Sequence, residues 1–243
     1  MPDLNRANRQ ACDVDIRDYK TKAPFLFLDT ANTTTAGLTG DSVWANKKGV
    51  HAIAFQNPAE ASLSIECQVY PFKLFALFSD NTIESSATFA VHKKVTCETA
   101  GEIAIETGAV AGTVFVYAAG EYGNTPIDGT YASDKFTATT ASEIAVGSEY
   151  EVGYLVTKAT GIQKVSFSNK KTPKDCYITY STVDKDEEGS LTPFIVTAYK
   201  ASIDRNFELA FSSEGDPVTV TLNFSLAEDP DGNIMDIVED TNE

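Results

Sequence analysis

The sequence predicts a mainly β protein, a sandwich or partly closed barrel with one buried flanking helix, long loops and a hairpin. Two stretches, 61–70 and 218–226, alternate strictly between apolar and polar residues, which is the period of a strand with one buried face. β-branched and aromatic residues crowd several weaker runs of the same kind. One short run, 72–78, is almost wholly apolar and follows Pro71, which favours a helix start.

The two strong strands each present one apolar and one polar face. In the first, Leu63, Ile65, Cys67 and Val69 alternate with Ser62, Ser64, Glu66 and Gln68. In the second, Val218, Val220, Leu222, Phe224 and Leu226 alternate with Thr219, Thr221, Asn223 and Ser225. Weaker runs lie at 113–117, 150–156, 177–183, 194–199 and 207–211, the last of which contains Glu208. Each polar face is expected to meet water or a partner.

Turn residues separate these strands. The residues 215–217, Gly-Asp-Pro, predict a hairpin connection into the second strong strand, with Pro217 at its start. The residues 230–232, Pro-Asp-Gly, predict a turn that returns the chain to a run at 234–238. The helix 72–78 should end at 79–81, Ser-Asp-Asn, and should be covered nearly all round, because it has hardly any polar face.

Charge excludes several classes of function. The 243 residues carry 19 basic and 35 acidic side chains, a net charge of −16, and fifteen of the acidic residues lie in 181–243. Clustered Lys and Arg are needed to hold nucleic acid or anionic lipid, so neither is expected as a bound ligand. Residues 1–22 are nearly balanced in charge and are interpreted as an N-terminal arm, solvated or fixed by a neighbouring copy, ahead of a body at 23–243.

The motifs for chemistry are missing from the sequence. Cys12, Cys67, Cys97 and Cys176 are widely scattered and are expected to be reduced thiols. His51 and His92 are the only histidines, and neither lies in a nucleophile-elbow, zinc-binding or phosphate-loop pattern. The sequence therefore predicts no enzyme and no cofactor. His51 is interpreted as a surface or interface residue of an alternating stretch.

An acidic run at 184–189 resembles the opening of a calcium loop. The closing glutamate of such a loop would fall on Ile195, so an acidic hairpin tip is the simpler interpretation, with calcium binding left open. The polar residues 1–18 lack the apolar stretch of a secretory signal, and no apolar run is long enough to cross a membrane. We therefore expect synthesis in a cytosol and no membrane partner.

The residues 49–58, the strand at 61–70 and the segment 71–77 together resemble the tail tube proteins, or major tail proteins, of tailed bacteriophages. The stretches 207–211, 214–226 and 229–233 are similar to the closing hairpin of that family. The middle of the chain, 84–180, has no match there and is expected to be a loop insertion or a β subdomain.

The resemblance implies a structural subunit of the virion tail, made in the bacterial host cytoplasm. Such subunits form hexameric rings that stack into a hollow tube, and DNA passes through the lumen at ejection without specific binding. The implied partners are further copies, tail terminator, tape measure and baseplate or tip proteins, and a sheath if the tail contracts. The candidate lumen or inter-subunit residues are Ser62, Ser64, Glu66, Gln68, Glu208, Thr219, Thr221 and Asn223.

Three alternatives remain open at the level of sequence. The first is another virion component, a decoration or head-tail joining protein. The second is an acidic β-sandwich adhesin that binds calcium at 184–189, and the most remote is a hydrolase.

Overall fold

A computed structural model describes residues 5–209, 213 and 217–240. The chain divides into two compact units. One, the barrel unit, comprises residues 1–82 and 165–243, and the other, the sandwich unit, comprises residues 83–164. Among the described residues, no helix is long and apolar enough to span a membrane.

Among the residues that the structure describes, the barrel unit contains ten strands and one helical segment. The strands of the described residues, numbered along both units, are β1 (Arg6–Ala7), β2 (Cys12–Asp18), β3 (Pro24–Thr39), β4 (Ser42–Lys47), β5 (Val50–Gln56), β6 (Glu60–Cys67), β7 (Ala87–Thr96), β8 (Glu102–Ala104), β9 (Phe115–Ala118), β10 (Gly129–Ala132), β11 (Lys135–Ala138), β12 (Glu149–Lys158), β13 (Cys176–Asp186), β14 (Leu191–Ile203), β15 (Val220–Ala227) and β16 (Met235–Glu239). The helical segments are 3₁₀, at Phe72–Phe78 and Ala141–Glu143.

Six antiparallel strands of the barrel unit close into a ring, which confirms the predicted partly closed barrel. The ring runs β13, β2, β3, β6, β15 and β14, and β14 then pairs with β13 again. The strands β1 and β16 continue the sheet beyond β13 and β14. A closed ring leaves few unpaired strand edges, so most backbone hydrogen bonds of the barrel are satisfied internally.

The two strong alternating stretches form neighbouring barrel strands. Their apolar residues are buried in one core: Ala61, Leu63, Ile65 and Cys67 on β6, and Val220, Leu222, Phe224 and Leu226 on β15. Their polar residues point the other way, as the two-residue period requires. The weaker runs at 177–183 and 194–199 lie within β13 and β14, and the run at 234–238 overlaps β16.

The first strong strand is shorter than predicted. β6 ends at Cys67 and Val69 is exposed, because the chain leaves the sheet there to enter the helical segment at Pro71. The run predicted at 207–211 is not a strand over 207–209, and its last two residues lie outside the described residues. Phe207 instead packs on the helical segment, its ring 4.4 Å from that of Phe78. The predicted turn at 215–217 also lies largely outside the described residues.

The helix at 72–78 is present, but it is a 3₁₀ helix and only partly covered. Leu74, Leu77 and Phe78 are buried in the barrel core, and Ala76 is also buried. Phe72 and Lys73 are exposed, and the Lys73 ammonium lies 4.4 Å from the centre of the Phe25 ring. The expectation of cover nearly all round is therefore wrong at the first turn.

Residues 1–22 are not wholly an arm, because the segment Cys12–Asp18 is a barrel strand that the sequence did not predict. It pairs with β13 on one side and β3 on the other, and Val14 and Ile16 are fully buried. Its outward residues Asp13, Asp15 and Arg17 make the segment strongly charged. The alternation of apolar residues between them is too short to predict a strand from the sequence.

The sandwich unit has its own core between two small sheets. One sheet has the order β10, β11, β8 and the other β7, β12, β9. Residues of both sheets share one buried cluster, including Ile103 and Phe136 from the first and Val116, Val152 and Val156 from the second. The runs predicted at 113–117 and 150–156 correspond to β9 and β12. A separate core is what allows such a segment to form a compact unit.

Candidate lumen and assembly surfaces

The outward side of β3, β6 and β15 is a continuous small polar surface, here called the hydroxyl face. Cross-strand partners point to the same side of a sheet, and the partners are Ser62 with Ser225, Ser64 with Asn223, and Glu66 with Thr221. On β3, Thr33 and Thr35 stand opposite Glu66 and Ser64. The hydroxyl face therefore consists of Thr33, Thr35, Ser62, Ser64, Glu66, Thr221, Asn223 and Ser225.

Side-chain hydrogen bonds tie this face together. The Ser64 hydroxyl donates to Oδ1 of Asn223 at 2.9 Å. The Ser225 hydroxyl donates to Oδ1 of Asp204 at 3.1 Å. Just beyond the strand ends, the Gln68 amide lies 3.5 Å from the Thr219 hydroxyl.

The structure thus brings together five of the sequence-predicted residues on one surface: Ser62, Ser64, Glu66, Thr221 and Asn223. Gln68 and Thr219 pair with each other at its border. Glu208 lies in the irregular segment after β14 and is exposed, so strand pairing does not bring it to this face.

The hydroxyl face carries a carboxylate and no cation among its eight residues. Small hydroxyl groups exchange hydrogen bonds with water readily, and a phosphate group finds no Lys or Arg there to hold it. Glu66 is half-buried on β6, the central strand of the face, and Asp204 adds a second carboxylate at the border of the face. Such a surface repels a polyanion at short range.

A second surface is the hairpin of β4 and β5, which forms a two-stranded sheet of its own. The turn between the strands has left-handed backbone at Lys48 and Gly49, with φ of 53° and 83°, as a tight hairpin turn requires. Val43 pairs with Phe55, Ala45 with Ile53, and Lys47 with Val50. One side of the hairpin therefore presents Val43, Ala45, Val50, Ile53 and Phe55, here called the apolar hairpin face, with Lys47 beside Val50 at its turn end.

The apolar hairpin face is open to solvent. Its four large side chains, Val43, Val50, Ile53 and Phe55, are between 57% and 68% exposed. A two-stranded hairpin without a covering layer is marginally stable in water, and contiguous exposed apolar residues of this kind mark protein interaction sites. On the opposite side, the Trp44 ring packs against His51 in a tilted arrangement, with 5.2 Å between ring centres. His51 is thus a surface residue, as its position in an alternating stretch suggests.

A third feature is the outer edge of β16. Among the described residues this strand pairs only with β14, through residues 194–198. Ile237 and Val238 are largely exposed on it. An edge strand of this kind can accept a strand from another chain.

The acidic run at 184–189 is a hairpin tip between β13 and β14. Oδ1 of Asp186 accepts the backbone N–H groups of Glu188 at 3.0 Å and Ser190 at 2.7 Å. The Asn8 side-chain amide donates a hydrogen bond to Oδ1 of Asp184 at 2.9 Å. The carboxylate oxygens of Asp184 and Asp186 therefore accept hydrogen bonds from the N-terminal segment and from the turn itself. Within the described ranges, no group of three His, Cys, Asp or Glu side chains is arranged to hold a metal ion.

The four thiols are free, and three of them are buried. Burial, together with the charges of Asp175 and Asp18, raises the pKa of Cys176 to about 12. Burial also raises the pKa of Cys67. A thiol held protonated in this way is a poor nucleophile, so these residues act as small core side chains. Cys12 is the half-buried one.

The structure thus combines a β barrel that has a hydroxyl-rich outer face with an exposed apolar hairpin and an available sheet edge. The YomU/Tube protein family matches residues 9–239, and the chain belongs to that family. This membership makes it a tail tube type of structural protein, a component of the virion tail that assembles with itself and with other tail components. Such families are generally not enzymatic. No curated protein matches the chain.

Proposed function

We propose that this chain polymerises as stacked hexameric rings into a hollow tail tube, whose acidic lumen conducts DNA during ejection. The observation that carries the proposal is the apolar hairpin face, which is exposed in the single chain although the barrel beside it is well packed. Four large apolar side chains on an isolated hairpin are favoured only if another surface covers them. A second copy of the chain is the partner that a tube supplies at every subunit.

The hydroxyl face is the proposed lining of the lumen. A conduit must let a polyanion slide, which requires a surface without cations and with weak, exchangeable hydrogen bonds. The face carries Glu66 and small hydroxyl side chains and meets this requirement. The repulsion acts over roughly 8 Å at physiological salt, which is enough close to a wall.

The edge of β16 supports lateral joining. Strand pairing between neighbouring subunits would extend the sheet from one copy to the next around a ring. The exposed Ile237 and Val238 would be covered by that contact. In this arrangement the segment 1–22 includes an arm that is fixed by neighbours, and the middle region is an inserted β subdomain. The tail terminator, tape measure and baseplate or tip proteins would act at the ends or in the lumen of the tube.

The experiment is assembly of the purified chain. Concentrated protein is examined by negative-stain electron microscopy and by sedimentation over a series of concentrations. The proposal predicts hollow tubes with a regular ring repeat and six-fold end views, above a sharp critical concentration. A chain that stays a single species at every concentration and salt, or that forms isolated rings or shell-like assemblies, would contradict it.

A further inference from the structure

An aromatic cleft of about 350 Å³ lies on the sandwich unit, and none of the surfaces described above includes it. Two of its side chains, Phe115 and Tyr122, are 47% and 48% exposed. Tyr117 also lines the cleft, with its ring centre 5.1 Å from that of Tyr122 and the two rings tilted by 59°. The volume lies near the lower end of the range, roughly 300–1,000 Å³, of pockets that hold small ligands.

The cleft lies on the outward face of the sheet formed by β7, β12 and β9. Cross-strand partners share one side of a sheet, and Gly153 of β12 stands opposite His92 on β7 and Phe115 on β9. On the same side, Tyr117 stands opposite Glu151. The intervening residues of β9 and β12 fill the core of the sandwich unit, so the aromatic rings of the cleft are not core side chains.

Three features hold Tyr122 against this sheet. A Cβ atom at Gly153 would lie only 2.3 Å from the Tyr122 hydroxyl oxygen, so glycine lets the ring rest on the strand. The His92 ring packs beside it, with 4.1 Å between ring centres. Glu151, only 6% exposed, accepts a hydrogen bond from the Gly120 N–H at 3.2 Å, and its other oxygen lies 3.0 Å from Nε2 of His92. These contacts anchor the loop that carries Tyr122.

The way in which Tyr122 is held indicates a binding surface. A glycine inside a strand and a buried carboxylate each lower stability relative to an apolar residue. Here both of them fix a single aromatic ring that remains about half exposed. Contact residues that are fixed before the ligand arrives reduce the entropy lost on binding.

The lining of the cleft restricts the chemistry of its ligand. Among the described residues that line it, none carries a charge. A phosphate, carboxylate or ammonium group would therefore find no charged partner there. The Tyr117 hydroxyl makes no hydrogen bond with any described residue and is not a buried atom, so it can donate to a ligand and accept from one. The cleft thus offers aromatic rings and a hydroxyl group to a neutral ligand.

A sugar fits these contacts better than a peptide strand does. At Gly153, β12 is paired with β7 on one side and with β9 on the other, so an added peptide strand would find no free backbone edge there. A sugar ring has C–H groups that pack on aromatic faces, and its hydroxyl groups both donate and accept hydrogen bonds.

We propose that this cleft binds a neutral glycan, with a sugar ring packed against Tyr122 and Phe115 and a sugar hydroxyl bonded to Tyr117. Both exposed rings lie at an open surface, so a longer glycan can extend beyond the cleft. The site lies wholly within the sandwich unit, which has its own core. The proposal therefore does not depend on the tube.

The test is saturation-transfer difference NMR on the unassembled full chain. The probes are neutral tetrasaccharides of glucose, galactose, mannose and N-acetylglucosamine, with a proline-rich peptide as the competing class of ligand. Irradiation of the protein's aromatic protons should transfer saturation to the C–H protons of at least one tetrasaccharide. Titration of that sugar then gives a Kd for comparison between variants.

Three substitutions locate the site. Tyr122→Ala and Phe115→Ala should each weaken binding roughly 10-fold, the effect of losing one aromatic contact. Gly153→Ala should weaken it although every ring is kept, because the added methyl group displaces Tyr122. The matched control is Phe89→Ala, which removes a ring that is 38% exposed on the other side of the same sheet and should leave the Kd unchanged.

Circular dichroism and thermal unfolding show which variants keep the fold. Alanine is accommodated in a strand more readily than glycine, so Gly153→Ala still tests the site if removal of a ring unfolds the unit.

Three results would overturn the proposal. Saturation transfer to none of the sugars would leave Tyr122 only the task of shielding Gly153 from water. Transfer to the proline-rich peptide alone would assign the cleft to a peptide. A sugar that binds the folded ring variants and Gly153→Ala with the wild-type Kd would have its site elsewhere on the chain. None of these results bears on the tube, which the assembly experiment tests separately.

Discussion

The apolar hairpin face offers the sharpest prediction, the double substitution Ile53→Thr/Phe55→Thr. Threonine keeps a high strand propensity, so the hairpin itself should persist. Ile53 and Phe55 are 57% and 58% exposed in the single chain, so more than half of each side chain remains to be buried on assembly. Complete burial of such a side chain contributes about 1.5–3 kcal/mol.

The part still to be buried is then worth roughly 1 kcal/mol or more for each residue, and about 2 kcal/mol for the pair. Loss of about 2 kcal/mol raises the critical concentration for polymerisation roughly 30-fold. The stability of the unassembled chain should hardly change, because the same side chains are already in water there. This separation of assembly from folding is the distinctive expectation.

The assay is pelleting of tubes over a dilution series, with thermal unfolding measured below the critical concentration. The matched control is Val146→Thr, which removes a side chain that is 62% exposed in the sandwich unit and outside the hairpin. The control should polymerise like the wild-type chain. Polymerisation of the double variant at the wild-type concentration would refute the reasoning, as would a melting temperature several degrees lower.

Three further predictions concern the core, the turn after β2 and the lumen. Leu222→Ala, at a fully buried barrel position, should lower the free energy of unfolding by about 2–5 kcal/mol in urea titrations, whereas Thr221→Ala should change it little. The backbone N–H and hydroxyl of Thr21 donate to Asp18 and hold its pKa below the ordinary 3.8. Ionised Asp18 therefore stabilises the fold fully above pH 3.8, and this contribution is lost as the pH falls through the lower pKa of the folded state. Asp18→Asn should accordingly make the free energy of unfolding fall less steeply with decreasing pH in the acid range. An unchanged dependence on pH would contradict this. Ser64→Lys/Thr221→Lys should still form tubes, but DNA should co-sediment with them at low salt and be released at high salt; tubes that leave DNA in the supernatant would argue against a lumen position.

The sequence predicts a strand and its buried face where apolar and polar residues alternate along that one strand. In β6 and β15 the apolar and polar sets alternate without interruption, so both the buried face and the outward residues could be predicted. β3 could not be predicted in this way. Its run of threonines, with Thr33 and Thr35 outward and Thr34 inward, puts the same residue type on both sides of the sheet.

The hydroxyl face depends on pairing between distant segments of the chain, which no local sequence pattern contains. Glu66 joins Thr221 only because β6 pairs with β15 in one register, about 150 residues away along the chain. The hairpin was missed although Lys48 and Gly49 form its turn, because the pair lacks the Asn-Gly or Asp-Gly signature. A cavity lined by Cys12, Thr34, Tyr180 and Phe194 combines residues of β2, β3, β13 and β14, so only the folded barrel shows it.

Self-assembly of the purified chain is the central claim, and the most direct measurement is averaged electron microscopy of polymers grown from it alone. The account predicts an open-ended tube built of six-membered rings, with Glu66 and its neighbouring hydroxyl groups facing the channel and the β4–β5 hairpin covered by another subunit. A solid filament, a closed shell, or a tube whose channel is lined by some other surface would contradict it.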